Sequence, residues 1–240
     1  ESIRLYQEAA EMVLNGWPVW NRVSEVYLEA GEPESALEPL DKSLQITGDS
    51  EPAFDALLIQ ARAYHSLGQL NVAIDIADQA VLRRPGEANA YFIRGTINLG
   101  LGQLTDALQD LDQAILLGPE IVPAYTNRGL IYASIGKVDL ALKDFDQIVK
   151  LNPESATAYN NRGMAYRELG ILDRAVFDLD RAIQLDPALA VAYFNRSLAY
   201  VIMGEDSRAQ EDARVAVELG IDPTSMGNAL GKAKNQNVNK

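Results

Sequence analysis

The sequence predicts an all-α fold built from stacked helix pairs. Three observations carry that prediction. Glycines recur at a 34-residue step, at Gly68, Gly102, Gly136, Gly170 and Gly204. Tyr91, Tyr125, Tyr159 and Tyr193 keep the same step, as do Pro85, Pro119, Pro153 and Pro187, and Ala73, Ala107, Ala141, Ala175 and Ala209. Between these marks, apolar and small residues fall three and four apart, the period of one helix face. A fixed period of this length means repeated units, none of which buries its apolar stripe alone.

The unit from Ala156 to Leu189 shows how each element arises. Tyr159, Gly163 and Tyr166 share one face of a first helix. Gly170 ends that helix, because glycine adopts positive φ without strain. Ala175, Leu179 and Ala182 line a second helix, and Asp186 and Pro187 stop it. Gly163 and the small alanines let the two backbones approach closely. Tyr159-x-x-Arg162-Gly163-x-x-Tyr166, followed by Ala175-x-x-x-Leu179 and Pro187, resembles the tetratricopeptide repeat pattern. The resemblance implies a right-handed superhelical solenoid of antiparallel helix pairs (TPR), with first helices lining a concave groove. One departure is Arg in place of an aliphatic residue in the first helix of four units.

Six units follow in order: 17–50, 54–87, 88–121, 122–155, 156–189 and 190–223. The first is in phase through Trp20, Tyr27, Gly31, Ala36 and Leu40, and Glu51 to Ala53 are inserted after it. Residues 1–16, with Ile3, Tyr6, Ala9 and Val13, are expected to form the second helix of a truncated upstream repeat. The start at Glu1 rather than Met points to a processed or truncated piece. Residues 224–240 are expected to form a short cap and then a disordered basic tail. Met226 and Leu230 are a weak apolar pair, and Gly227 and Gly231 disfavour helix.

Composition excludes several functions. The net charge is -13, which argues against nucleic acid and anionic membranes, because phosphate binding needs clustered Lys and Arg. The longest apolar run, Ala188 to Phe194, is too short to span a bilayer. There is no Cys, hence no disulfide or thiol chemistry. No signal peptide is visible, which favours the cytoplasm, with any targeting segment outside the chain.

Arg94, Arg128, Arg162 and Arg196 are each followed, sixteen residues later, by Asp110, Asp144, Asp178 and Asp212. The two units without the Arg carry Val23 and Gln60 there, and Pro39 and Ile76 in place of the Asp. Arg and Asp appear and vanish together, which predicts structural ion pairs between helices rather than an anion-binding groove. The resulting Asp-x-Asp runs are not expected to hold metal, because residues i and i+2 of a helix diverge by roughly 200°.

Asn127, Asn161 and Asn195 keep the 34-residue step on another face of the first helix. The resemblance implies that this face lines the groove, where such amides form a ladder on the backbone of an extended peptide. A carboxamide offers one acceptor and two donors, which suits a peptide unit. The alternative is a tolerated polar residue on a solvated face. Groove positions also carry Phe92, Ile93, Leu130, Met164, Phe194 and Leu198, of which Phe92, Met164 and Phe194 are the expected apolar contacts to a ligand. The branch of the family that clamps a C-terminal carboxylate uses Lys and Asn at set groove positions; the matching positions of the last three units hold Thr126 and Leu130, then Asn161, then Val191 and Asn195, so the Lys residues are absent and that specificity is not expected.

No catalytic constellation is present. His65 is the only His, read as a solvated groove residue rather than a catalyst. The expectation is a non-enzymatic protein–protein interaction scaffold, without cofactor, binding a neutral or basic polypeptide. The alternatives are a recruiting or regulatory arm of a larger enzyme and a self-associating assembly module.

Overall fold

The computed structural model describes residues 16–48, 50 and 53–238. The upstream half-repeat expected over residues 1–16 lies outside the described residues except for Gly16. Thirteen helices and no strand occur among the described residues. The chain forms two compact units, Glu1–Ala124 and Tyr125–Lys240.

The first unit contains α1 (Trp17–Glu29), α2 (Leu37–Thr47), α3 (Ala53–Ser66), α4 (Leu70–Arg83), α5 (Ala88–Gly100) and α6 (Leu104–Leu117), and α7 (Val122–Ser134) begins in it. Helices pair as α1 with α2, α3 with α4 and α5 with α6. Phe54, Leu57, Leu58, Ile76, Ile93 and Ile97 form the core where α3, α4 and α5 meet. The second unit holds the rest of α7, then α8 (Val138–Leu151), α9 (Ala156–Glu168), α10 (Leu172–Leu185), α11 (Ala190–Met203), α12 (Asp206–Glu218) and α13 (Pro223–Val238). There α9 pairs with α10 and α11 with α12. The all-α architecture of stacked helix pairs expected from the sequence is therefore present in each unit.

The recurrent glycines have two distinct jobs. Those at the turns, such as Gly136 (φ 75°) and Gly170 (φ 73°), take the left-handed conformation. The residue after each glycine then donates its N–H back across the turn: Lys137 to the Tyr132 carbonyl at 2.8 Å and Ile171 to that of Tyr166 at 2.9 Å. These bonds satisfy carbonyls left over at the helix end. The mid-helix glycines instead permit contact. A Cβ on Gly163 would stand 2.8 Å from Leu179 Cγ, and one on Gly129 2.7 Å from Phe145 Cε1. Leu179 and Phe145 are fully buried, so the second helix plugs directly onto the backbone of the first.

The C-terminal region corrects the sequence reading. Pro223–Val238 is one helix, not a short cap followed by a disordered tail. Met226, Ala229, Leu230 and Ala233 make an apolar stripe, and α13 lays it on Phe194, Leu198 and Val201 of α11. Burying four such side chains outweighs the roughly 1 kcal/mol that each of Gly227 and Gly231 costs a helix. Leu230→Asp is expected to free α13 and raise amide exchange there and at residues 194–202 at least tenfold, leaving α9 unchanged. Unaltered protection would show that other contacts hold the helix.

Candidate functional site

Each first helix presents two chemically different faces. In α5, α7, α9 and α11 the side toward the second helices carries the charges. Arg94 donates from Nε and NH2 to Asp110 at 3.0 and 2.7 Å. Arg162 does so to Asp178 at 2.7 and 2.8 Å, and Arg196 to Asp212 at 2.7 Å twice. Arg128 reaches Asp144 at 2.9 and 2.6 Å. All four carboxylates are buried. Each guanidinium also packs over the Tyr three residues earlier, Arg162 over Tyr159 at 5.5 Å for example, where the ring face attracts the cation.

These arginines do more than close their own repeat. In Arg94, Arg162 and Arg196 the remaining nitrogen, Nη1, donates to an Asp sixteen residues earlier, on the second helix of the preceding repeat. Arg94 meets Asp78 at 2.8 Å, Arg162 meets Asp146 at 3.0 Å and Arg196 meets Asp180 at 2.6 Å. The second Asp of Asp144-x-Asp146 and Asp178-x-Asp180 thus has a use that the sequence reading missed, a staple to the next repeat. Its signal was available, since Asp precedes the Arg by the same sixteen residues by which Asp follows it. The hydrogen bonds they donate to Asp110 and Asp178 hold the Arg94 and Arg162 guanidiniums above their ordinary pKa. For Arg196, burial pulls the value down and Asp212 with Asp180 more than offsets it. In Arg94, Arg162 and Arg196 all three guanidinium nitrogens are thus engaged by carboxylates of the chain itself.

The other face lies where neighbouring first helices touch, α3 against α5 in the first unit and α9 against α11 in the second. In the first unit it encloses a cavity of about 180 Å³. Arg62 and His65 of α3 rim the cavity, and Phe92, Thr96 and Ile97 of α5 line it. Phe92, picked from sequence as a ligand contact, therefore sits at an opening that Arg62, His65, Ser66 and Thr96 also line.

In the second unit the same face is amide-rich. Asn161 and Asn195 are buried, while Asn127 and Met164 are half-buried. Asn160, absent from the sequence reading, joins two of them. It donates to Asn161 Oδ1 at 3.2 Å and accepts from Asn195 Nδ2 at 2.9 Å. Arg167 NH1 in turn donates to Asn195 Oδ1 at 3.3 Å. The amides thus form an ordered chain across α9 and α11, running from Arg167 through Asn195 and Asn160 to Asn161. Asn160, Met164 and Arg167 stand four and three apart, on one stripe of α9. Phe194 faces α13 and packs with Met226 and Leu230. It is shielded by the chain's own last helix, a contact that only the tertiary structure exposes.

Among the described residues, no group of three or more His, Cys, Asp or Glu is placed to hold a metal ion. No described helix is long and apolar enough to cross a membrane.

Comparison with known proteins agrees with this architecture. The sequence profile of the tetratricopeptide repeat family matches residues 58–125 and 126–190, more than half of the chain. No protein of curated function matches significantly. Among solved structures, the chain is similar to the Cut9–Hcn1 hetero-tetramer of the APC/C, with a TM-score of 0.79 and 18% identity over 97% of this chain. It spans 46% of that protein's length. A tetratricopeptide repeat protein from Parabacteroides merdae gives a TM-score of 0.71 at 21% identity, covering 92% of this chain and 86% of that one. YrrB, described as having an unusual peptide-binding site, gives 0.65 at 21% identity, covering 79% and 96%.

Proposed function

The chain belongs to the tetratricopeptide repeat family, and from that premise we propose that its first-helix faces bind an extended polypeptide. The fold is that of a protein–protein interaction scaffold, and the reading is of a binding protein rather than an enzyme. The observation that carries it is the amide chain with Met164 on the first-helix face of the second unit. Amide donors beside an apolar side chain are what a peptide backbone with an apolar residue requires. In the first unit, taken by itself, the opening at Phe92 offers an apolar contact to a polypeptide. YrrB's peptide-binding site is a property of YrrB, and it adds plausibility to the reading without identifying a ligand.

Magnitudes set the expected strength. Each net hydrogen bond contributes about 1 kcal/mol, and micromolar affinity requires about 8 kcal/mol. Amides alone fall short, so on the second unit Met164 must contribute by burial. The net charge of -13 favours a neutral or basic segment and an association that slows as salt rises.

The test begins with selection of binders to the full chain from a random 12-residue peptide library. Affinities are then measured for Phe92→Ala, Asn127→Ala, Asn161→Ala, Met164→Ala and Asn195→Ala, each confirmed as folded by circular dichroism. A loss of about fivefold or more is expected for most of them, corresponding to roughly 1 kcal/mol per contact. Binders whose affinity is unchanged by every one of these substitutions would place the interaction surface elsewhere.

A further inference from the structure

One repeat lacks a residue that the others share, and a cavity stands in its place. Tyr27, Tyr64, Tyr132, Tyr166 and Tyr200 hold the same position near the end of the first helix in five of the six repeats, and the repeat 88–121 carries Asn98 there. In the second unit these rings are packed on cations. Tyr200 meets two guanidiniums, Arg196 at 5.9 Å and Arg208 at 5.6 Å from its ring centre, and Val176 of α10 packs against the same cluster. Tyr166 takes Arg174, the residue equivalent to Arg208, at 5.7 Å. Both rings are buried.

In the first unit, a cavity of about 300 Å³ opens at Asn98, where α4, α5 and α6 meet. Ile74, Asp78, Arg94, Asp106 and Asp110 line it with Asn98. Ile74 precedes Asn98 by the same twenty-four residues by which Val176 precedes Tyr200, Arg94 is the equivalent of Arg196, and Asp106 stands where Arg174 and Arg208 stand. The apolar wall and the inner guanidinium of the tyrosine seat are therefore kept, the ring is gone, and the outer cation has become an acid.

Two groups in the cavity are left with bonds to make. Asn98 is 5% exposed, and its Nδ2 donates to Asp110 Oδ2 at 3.0 Å. An ionised carboxylate only accepts, so this bond fixes which way the amide points. Among the described residues no donor reaches the Asn98 oxygen, yet it is not one of the fully enclosed atoms without a partner, so it opens onto the cavity. Asp106 is exposed and pairs with no cation among the described residues. Three carboxylates thus face the single guanidinium of Arg94, an excess of negative charge that draws a cation. The face of Arg94 in turn attracts an aromatic ring, as it already does Tyr91 at 5.6 Å.

We propose that this cavity binds an aromatic amine, with one ring seated between Ile74 and the Arg94 guanidinium and an ammonium group held by Asp106 and the Asn98 oxygen. The ligand supplies the ring that this repeat lacks, and its charge is the opposite of the acid that replaced the outer arginine. The volume is at the lower end for small-molecule sites, about 300 Å³, and suits a single ring with a short amine arm. The site lies on the charged side of α5, apart from the first-helix faces assigned to a polypeptide above. The same chemistry is offered by a free arylalkylamine and by a tyrosine flanked by lysines on a polypeptide.

The test titrates the full chain with tyramine and, separately, with the capped tripeptide acetyl-Lys-Tyr-Lys-amide. At least one is expected to bind, and the tighter of the two names the source. Removing the charge, in 4-ethylphenol, should weaken binding about tenfold relative to tyramine, the scale of a hydrogen bond to a charged group. Removing the ring, in butylamine, should weaken it about fivefold, the scale of a ring stacked on a guanidinium. Asp106→Asn should reduce affinity for the tighter probe about tenfold without lowering the melting temperature, because the carboxylate is exposed and unpaired. Asn98→Tyr puts the ring of the other repeats into the cavity. It should abolish binding and melt at the wild-type temperature or above. Absence of binding by both probes overturns the site, as does affinity that Asn98→Tyr or Asp106→Asn leaves unchanged, or 4-ethylphenol binding as tightly as tyramine. A marked fall in melting temperature for Asn98→Tyr shows that the cavity does not accept a ring and overturns it equally.

Discussion

Asp178→Ala is expected to destabilise the protein by about 3–5 kcal/mol, because it strands the buried end of Arg162 without its acceptors. Asp178 is 1% exposed and takes two bonds from that guanidinium. Arg162→Ala should cost at least as much, about 3–5 kcal/mol, because it leaves the buried Asp178 carboxylate without its donor, whereas the exposed Asp146 is released to water at little penalty. The double substitution should recover part of the combined loss, with a coupling of about 1–3 kcal/mol. Asp146→Ala provides the internal control. Its side chain is 39% exposed, and its loss should cost below about 1 kcal/mol. Denaturant unfolding of the four variants measures all of these terms. Simple additivity of Arg162→Ala and Asp178→Ala would show that the two are not energetic partners.

The second large effect concerns the plug between helices. Phe145→Ala is expected to cost about 3–5 kcal/mol, through lost burial and the cavity it leaves. Phe145 is fully buried and its ring edge abuts Gly129. Gly129→Ala alone places a methyl 2.7 Å from Phe145 Cε1. Overpacking of that kind costs about 1–3 kcal/mol, more than the roughly 1 kcal/mol that alanine gains over glycine in a helix. The two substitutions should not add. With the ring removed, the new methyl enters the vacated space, so Gly129→Ala should become neutral or stabilising in the Phe145→Ala background. If it costs as much there as in wild type, the close approach at Gly129 is not what demands glycine.

Much of the fold was legible because its determinants are local and periodic. A glycine at the end of a first helix, an alanine at the helix crossing and a proline at the unit boundary each act within a few residues. A 34-residue step therefore identifies them without knowledge of what they touch. The Arg-to-Asp link was legible for the same reason: both ends lie in one repeat, at a constant separation of sixteen. The backward link from Arg162 to Asp146 has the same separation, yet it joins different repeats. Its meaning depends on how one pair stacks on the next.

The candidate site was legible only as a set of positions. The step of 34 singled out Asn127, Asn161 and Asn195 on a face distinct from that of the arginines. It did not indicate that Asn160 would take the Asn195 amide, or that Arg167, six residues beyond Asn161 in the same helix, would end the chain as a buried cation. Those contacts cross between neighbouring first helices, and a hydrogen bond reports distances that a single helix does not contain. Phe194 and α13 follow the same logic. On propensity, Gly227 and Gly231 argue against a helix, and residues 223–238 become one because Met226, Ala229, Leu230 and Ala233 find α11 to lie on. The repeat, its turns and the ion pair inside four of the six units were readable from the sequence alone, all being set by short-range sterics and periodicity. Which amides bond one another, which aromatic is covered and which arginine hydrogen-bonds an amide instead of a carboxylate were settled by the tertiary structure alone, because burial and hydrogen-bond partnership are properties of packed neighbours.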